Sequence, residues 1–266
     1  MKSLILTSFL LFLHQPLDTG YITLKSTLSC EANPPMINAS LLIENTGNET
    51  AYNIQVMFKF AENEWLSKIV TRLDVNNSEV INNLYKYEPI NEGNYPFIAR
   101  IHFQDSSGYS FTSVVTTILT YKEATIPDIF AEWEDLFLSD KAVLKLKITN
   151  IGYDDLNLNI NILVPDELSV QPNQSTFALK ARSKDELLFD VDNFNAIVGA
   201  VYPAWSIIEY ENNVNHFTFV SSGNITIIQK ANVFKKYWWL SLILIAIIIL
   251  IFIWYNIRHD FSKQHQ

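Results

Sequence analysis

Two histidines, His102 and His216, are the residues between positions 21 and 230 of this 266-residue chain best suited to move a proton near neutral pH. Neither stands in a catalytic spacing. There is no HExxH, no Gly-x-Ser-x-Gly, no phosphate-binding Gly-rich loop and no Cys/His cluster around them. Each lies within or beside an alternating apolar run and reads as a strand residue. The acidic groups Glu132-Trp133-Glu134-Asp135, Asp154-Asp155 and Asp190-Val191-Asp192 offer oxygens of the kind calcium takes. They lack the spacing of an EF-type loop and the dense alternating acids of a calcium cage, and Asp154-Asp155 reads better as closing a turn after Gly152. Trp65, Trp133 and Trp205, with Tyr85, Tyr87 and Tyr95, could stack on sugar rings, although a β-sandwich of this size also needs large side chains inside. No catalytic residue, cofactor-binding residue or metal ligand is therefore assigned. The expectation is a protein that is not an enzyme and carries no cofactor, with glycan as one candidate partner.

Charge narrows the partners. Residues 21–230 carry 26 Asp and Glu against 14 Lys and Arg, a net of −12 that repels phosphate backbones and excludes nucleic acid. The single cysteine, Cys30, cannot close an intramolecular disulfide, so core packing alone must hold the fold. An animal cell-surface immunoglobulin receptor normally bridges its two sheets with a Cys pair, so the pattern points to a prokaryotic envelope protein. Sequons at Asn38, Asn48, Asn76, Asn173 and Asn224 would be glycan acceptors in a host that modifies its surface, Asn48 and Asn173 on turns first.

The segment that would place such a protein is Tyr237–Tyr255, YWWLSLILIAIIILIFIWY, free of charge, Pro and Gly. As a helix it is close to 30 Å long, the thickness of a bilayer's hydrocarbon. Trp238, Trp239, Trp254 and Tyr255 fall where an aromatic belt meets head groups, and Ile245 and Ile249 fill the middle. Lys235, Lys236 and Arg258 flank it. At the other end, Lys2 and the apolar run Leu4–Leu13 read as an export signal over residues 1–20, with an uncleaved anchor as the alternative. The expected topology is a cell-membrane protein with a single pass, residues 21 to about 234 outside and the tail 256–266 in the cytoplasm.

Between signal and span, short alternating runs of Ile, Val, Thr, Phe and Tyr punctuated by Asn, Gly and Asp predict strands. An internal repeat organises them. Asn45-Thr46-Gly47 after Met36–Glu44 matches Asn150-Ile151-Gly152 after Ala142–Thr149, with Asn45 and Gly47 lying 105 residues before Asn150 and Gly152. HFQDSSGYSFT from His102 matches EYENNVNHFTF from Glu209 at nearly the same offset. Asn and Gly are expected to supply the positive φ of a tight turn. After each turn, Tyr52, Ile54, Val56 and Phe58, and then Leu156, Leu158, Ile160 and Ile162, share a face at period two. About seven strands per copy predict two tandem immunoglobulin-like β-sandwiches, an all-β fold, over 21–124 and 125–232. A short linker at Glu123–Asp128 suggests a stiff end-to-end rod.

The Asn-x-Gly turn between amphipathic strands, with a closing hairpin built on Asp105-Ser106-Ser107-Gly108, resembles CARDB-type modules of bacterial and archaeal surface proteins. Val164-Pro165 and Ser169–Pro172 in the second copy are similar to the α-galactosidase-associated domains. The resemblance implies scaffolding and adhesion without a shared catalytic site. Glu211-Asn212-Asn213-Val214 departs from the Asp-x-x-Gly form. The functional expectation is a membrane-anchored surface protein for adhesion or envelope assembly with other surface proteins. An accessory subunit of a membrane transporter or envelope enzyme, and a carbohydrate-binding module, are the alternatives.

Overall fold

Alternation at period two turns nearly every apolar run into a strand with one face in a core. The computed structural model describes residues 20–87, 89, 91–212, 214–230 and 243–251. The first sandwich contains β1 Leu24–Asn33, β2 Met36–Asn45, β3 Ala51–Phe60, β4 Asn63–Leu66, β5 Val70–Leu73, β6 Ser78–Lys86, β7 Glu92–Gln104 and β8 Ser110–Tyr121. One sheet runs β1-β2-β6, and the facing sheet runs β3-β7-β8 with β4 and β5 on the free side of β3. These orders correspond to the A-B-E and C-F-G sheets of an immunoglobulin sandwich. Leu41, Ile43, Ile54, Val56, Phe58, Phe60, Phe97, Ile101 and Leu119 fill the space between them at 1% exposure or less.

A β-bulge refines the expected face of β3. The register with β7 shifts between Tyr52 and Gln55, and Asn53 takes φ 49°. The extra residue inverts the alternation upstream. Ala51 therefore enters the core with Ile54, Val56 and Phe58, while Tyr52 stays half-buried.

The second sandwich repeats the plan with β9 Ile129–Trp133, β10 Leu136–Leu138, β11 Lys141–Asn150, β12 Leu156–Leu163, β13 Leu168–Gln171, β14 Gln174–Leu179, β15 Lys184–Asn193, β16 Val201–Glu211 and β17 Asn215–Ile227. Sheet β13-β15-β11-β9 faces sheet β14-β12-β16-β17, with β10 added in parallel to β17. Leu144, Leu146, Ile148, Leu158, Ile160, Phe189 and Val191 make its core, and Leu158, Ile160 and Ile162 point inward as their alternation requires.

The sandwiches lie side by side in opposite directions rather than end to end. β7 pairs in parallel with β17 at Glu92–Asn215 and Gly93–His216, joining one sheet of each sandwich into a single ten-stranded sheet. Because β16 is antiparallel to β17, it also runs against β7. A rod needs the outer sheet faces wet. Here Ile98 and Val114 of one face pack on Ile207 of the other, with Leu163, Trp205 and Val220 around them. The described residues from Gly20 to Ile227 form one compact unit.

Beyond that unit, residues 243–251 form a helix whose every side chain is exposed, from Ile243 at 46% to Leu250 at 65%. Ile245 and Ile249 lie on it, each 52% exposed. No helix among the described residues is long and apolar enough to cross a membrane. Residues 1–19 of the expected export signal, Trp238, Trp239, Trp254, Tyr255 and the tail lie outside the described residues.

Candidate functional site

The repeat turns come first, because they fix the loop ends of each sandwich. Asn45 and Asn150 are buried, at 0% and 1% exposure. The Asn45 side-chain amide donates to Glu49 O at 2.8 Å and Leu73 O at 3.1 Å, while its Oδ1 accepts from Gly47 N at 3.1 Å. Asn150 does the same with Asp154 O at 2.9 Å, Lys180 O at 3.1 Å and Gly152 N at 2.8 Å. Each asparagine is thus a peg that satisfies carbonyls of a neighbouring segment inside the sandwich. The glycines serve close approach, not positive φ as the sequence suggested. A Cβ at Gly47 would lie 2.4 Å from Tyr21 O, and one at Gly152 would lie 2.9 Å from Asp128 Cβ.

Both histidines fall at the seam between the sandwiches. His216 is 6% exposed and stacks on Tyr95 of the first sandwich, ring centroids 4.0 Å apart and planes 9° apart. Its Nδ1 donates to Asn94 O at 2.6 Å, and Nε2 lies 3.3 Å from Glu209 and 3.8 Å from Glu211. Burial disfavours the charged ring, but Glu209, the Asn94 carbonyl and Glu211 outweigh it and raise the pKa above the ordinary histidine value. Thr218 adds a 2.7 Å bond to Asn94 O, and Thr125, in the segment joining the sandwiches, donates to His216 O at 2.8 Å. Asn94 in turn donates from Nδ2 to Thr125 O at 2.6 Å.

Further along the seam, Trp205 spans the apolar contact and donates from Nε1 to Val114 O at 2.9 Å. Beyond it, Arg100 donates to Val164 O at 3.1 Å and pairs with Asp166. His102 Nδ1 stands 3.8 Å from the same carboxylate. Glu167, 2% exposed, accepts from Thr112 N and Thr112 Oγ1, both at 2.7 Å. Trp205, Arg100, Asp166, Thr112 and Glu167 thus fasten two strand faces together.

The remaining candidates disperse. Trp65 stacks on Tyr85 at 4.3 Å, and Trp133 is 8% exposed. Glu132, Glu134, Asp135 and Glu186 line a surface hollow of about 470 Å³, where Lys147 stands 3.3 Å from Glu134 and Lys145 3.8 Å from Glu186. Asp154 contributes its main-chain carbonyl to the Asn150 peg, and Asp155 accepts from Ala181 N at 2.8 Å. Asp190 and Asp192 fall on β15, Asp192 paired with Lys141 at 3.0 Å. Among the described residues, no group of three or more His, Cys, Asp or Glu could hold a metal ion. The sequence motifs missed the seam itself. Its signal was present in Phe97-Ile98-Ala99 and Ile207-Ile208, where consecutive apolar residues mark strands buried on both faces.

The fold and seam define a tandem immunoglobulin-like β-sandwich protein fastened into one body. No protein-family model matches the chain, and no curated protein does. Solved structures that overlap 77% of it include Escherichia coli alpha-2-macroglobulin in its native conformation, at TM-score 0.31 and 9% identity, of which this chain spans 17%. Red sea bream transglutaminase overlaps the same share at TM-score 0.27 and 9% identity, with 31% of its own chain covered. A protein of unknown function from Porphyromonas gingivalis W83 aligns at TM-score 0.30 and 11% identity over 99% of its length. The fold assignment rests on strand order and packing.

Proposed function

We propose that the chain is a non-enzymatic, membrane-anchored surface protein of prokaryotic type. It presents its two sandwiches as one stiff body for adhesion or envelope assembly. One observation carries the reading: the helix 243–251 is apolar on every side and exposed on every side, within a charge-free run from Tyr237 to Tyr255. A helix of that kind is stable in lipid and unfavourable in water. The export signal at residues 1–20 would place the sandwiches outside. CARDB-type architecture is the finer reading of the fold, supported by the paired Asn-x-Gly pegs. The seam supports a mechanical role, because its polar groups are spent on rigidity.

Affinity capture of the full chain in mild detergent tests this reading. Recovery from the membrane fraction without a stoichiometric multi-pass partner is the expected result. A stoichiometric transporter or envelope enzyme would favour the accessory-subunit alternative. Recovery from the soluble fraction without detergent would overturn anchoring altogether.

A further inference from the structure

We propose that the end of the second sandwich at which β17 finishes is seated on the lipid surface through a cap of apolar side chains. The inference rests on the anchoring reading and adds a second contact with the membrane. Phe137, Phe194, Ile197, Val198 and Val201 are 65%, 71%, 49%, 58% and 57% exposed. They are neighbours. Phe137 pairs with Thr226, and Thr226 pairs with Val201, so Phe137 and Val201 stand in one row on the same sheet face. The turn bearing Ile197 and Val198 is tied to the end of β17, with Gly199 N donating to Ile227 O at 2.8 Å and Ile227 N to Ala200 O at 3.0 Å. Phe194 is held by its N–H bond to Glu167 O at 3.0 Å, and Ile197 by its N–H bond to Tyr202 Oη at 3.0 Å.

The main chain is therefore fixed while the side chains stay in water, which costs apolar hydration unless something covers them. Chain length selects lipid as the cover. Nine residues, 228–236, separate Ile227 from the apolar run starting at Tyr237. Fully extended, nine residues reach about 30 Å, so an anchored chain keeps this end close to the bilayer. Phenylalanine with branched aliphatic residues, and no charge among the five, fits the boundary between head groups and acyl chains. The chain also enters the unit at this end. Tyr21 N bonds Asn48 at 2.7 Å, Ser106 bonds Glu49 at 2.7 Å, and Asn195 bonds Tyr109 Oη at 3.1 Å, linking the first described residues to the capped loop.

The test uses the full chain in phosphatidylcholine vesicles. Single cysteines replace Ile197, Val198, Tyr153 or Ile249 in a Cys30→Ala background, each carrying an environment-sensitive dye. Tyr153 is 84% exposed beside the Gly152 turn at the opposite end. The expected result is blue-shifted emission at 197 and 198 that shallow spin-labelled lipid quenches, no quenching at 153, and no change with salt. Quenching at 249 while 197 and 198 behave like 153 overturns the cap and leaves anchoring standing. Blue shift at 197 and 198 without lipid quenching means that protein, a second copy or another partner, covers the patch, and also overturns the cap. Absence of quenching at 249, 197 and 198 overturns both readings.

Discussion

Tyr95 and His216 belong to different sandwiches, yet their rings stack at 4.0 Å with planes 9° apart. The contact sits beside the only stretch where the two sandwiches pair main chain to main chain among the described residues, at Glu92–Gly93 and Asn215–His216. Strand backbones approach so closely there that a Cβ on Gly93 would lie 2.0 Å from His216 O. Neither half can complete this seam alone. Stability and shape are therefore shared properties of the pair.

Shared stability predicts one cooperative transition for residues 21–230 in guanidinium, read by both Trp fluorescence and circular dichroism. Trp205→Ala removes the side chain that bridges both faces and orphans the Val114 carbonyl. It should lower stability by about 3 kcal/mol and move the whole transition. Two separable transitions in the parent would contradict a shared seam.

His216 makes the seam respond to pH. Its folded pKa is raised above the ordinary value near 6.5, despite burial, by Glu209, Asn94 O and Glu211. A raised folded pKa gives stability that is complete below the unfolded value and declines as pH rises through the folded one. Denaturation midpoints should fall from about pH 6 to about pH 8, and His216→Gln should flatten that slope. A parent midpoint that rises over the same interval would refute the assignment.

The two pegs should cost alike. Asn45→Ala and Asn150→Ala each strand buried carbonyls and a glycine N–H, and each should destabilise by roughly 2–3 kcal/mol in chemical denaturation. Substitution of exposed Asn48 by Ala, which loses one bond to Tyr21 N, should cost well under half as much.

Cys30 offers a probe of the first sandwich. Its side chain packs against the core, and burial pushes the thiol pKa up to about 12. Only a thiolate alkylates readily. At pH 8 iodoacetamide should label the native chain far more slowly than the chain in denaturant. Equal rates would place Cys30 in water.

Period-two alternation made the strands legible, because each sheet has one wet or loosely covered face and one core face. It failed where that premise fails. At Asn53 the bulge inverted the phase and put Ala51 in place of Tyr52. At Ile98, Val114 and Ile207 the nominally wet face is buried against the other sandwich, so the rod suggested by a short linker gave way to a side-by-side pair. Gly47 and Gly152 stood out for turn chemistry, but the physical demand is space for Tyr21 and Asp128, long-range neighbours that no local motif encodes. The seam's Asn94, Arg100, Thr112 and Glu167 belong to no motif at all. Their role exists only once β7, β8 and the β12–β13 loop are brought together.

Anchoring is the claim on which the functional reading stands, and tag topology in intact cells tests it most directly. With one epitope after Gln266 and another in the exposed loop at Tyr153, added protease should remove the Tyr153 epitope and spare the C-terminal one. Both epitopes should stay with alkali-washed membranes until detergent is added. Digestion of the C-terminal epitope in intact cells, or release of the chain by alkali, would contradict a single span with the sandwiches outside.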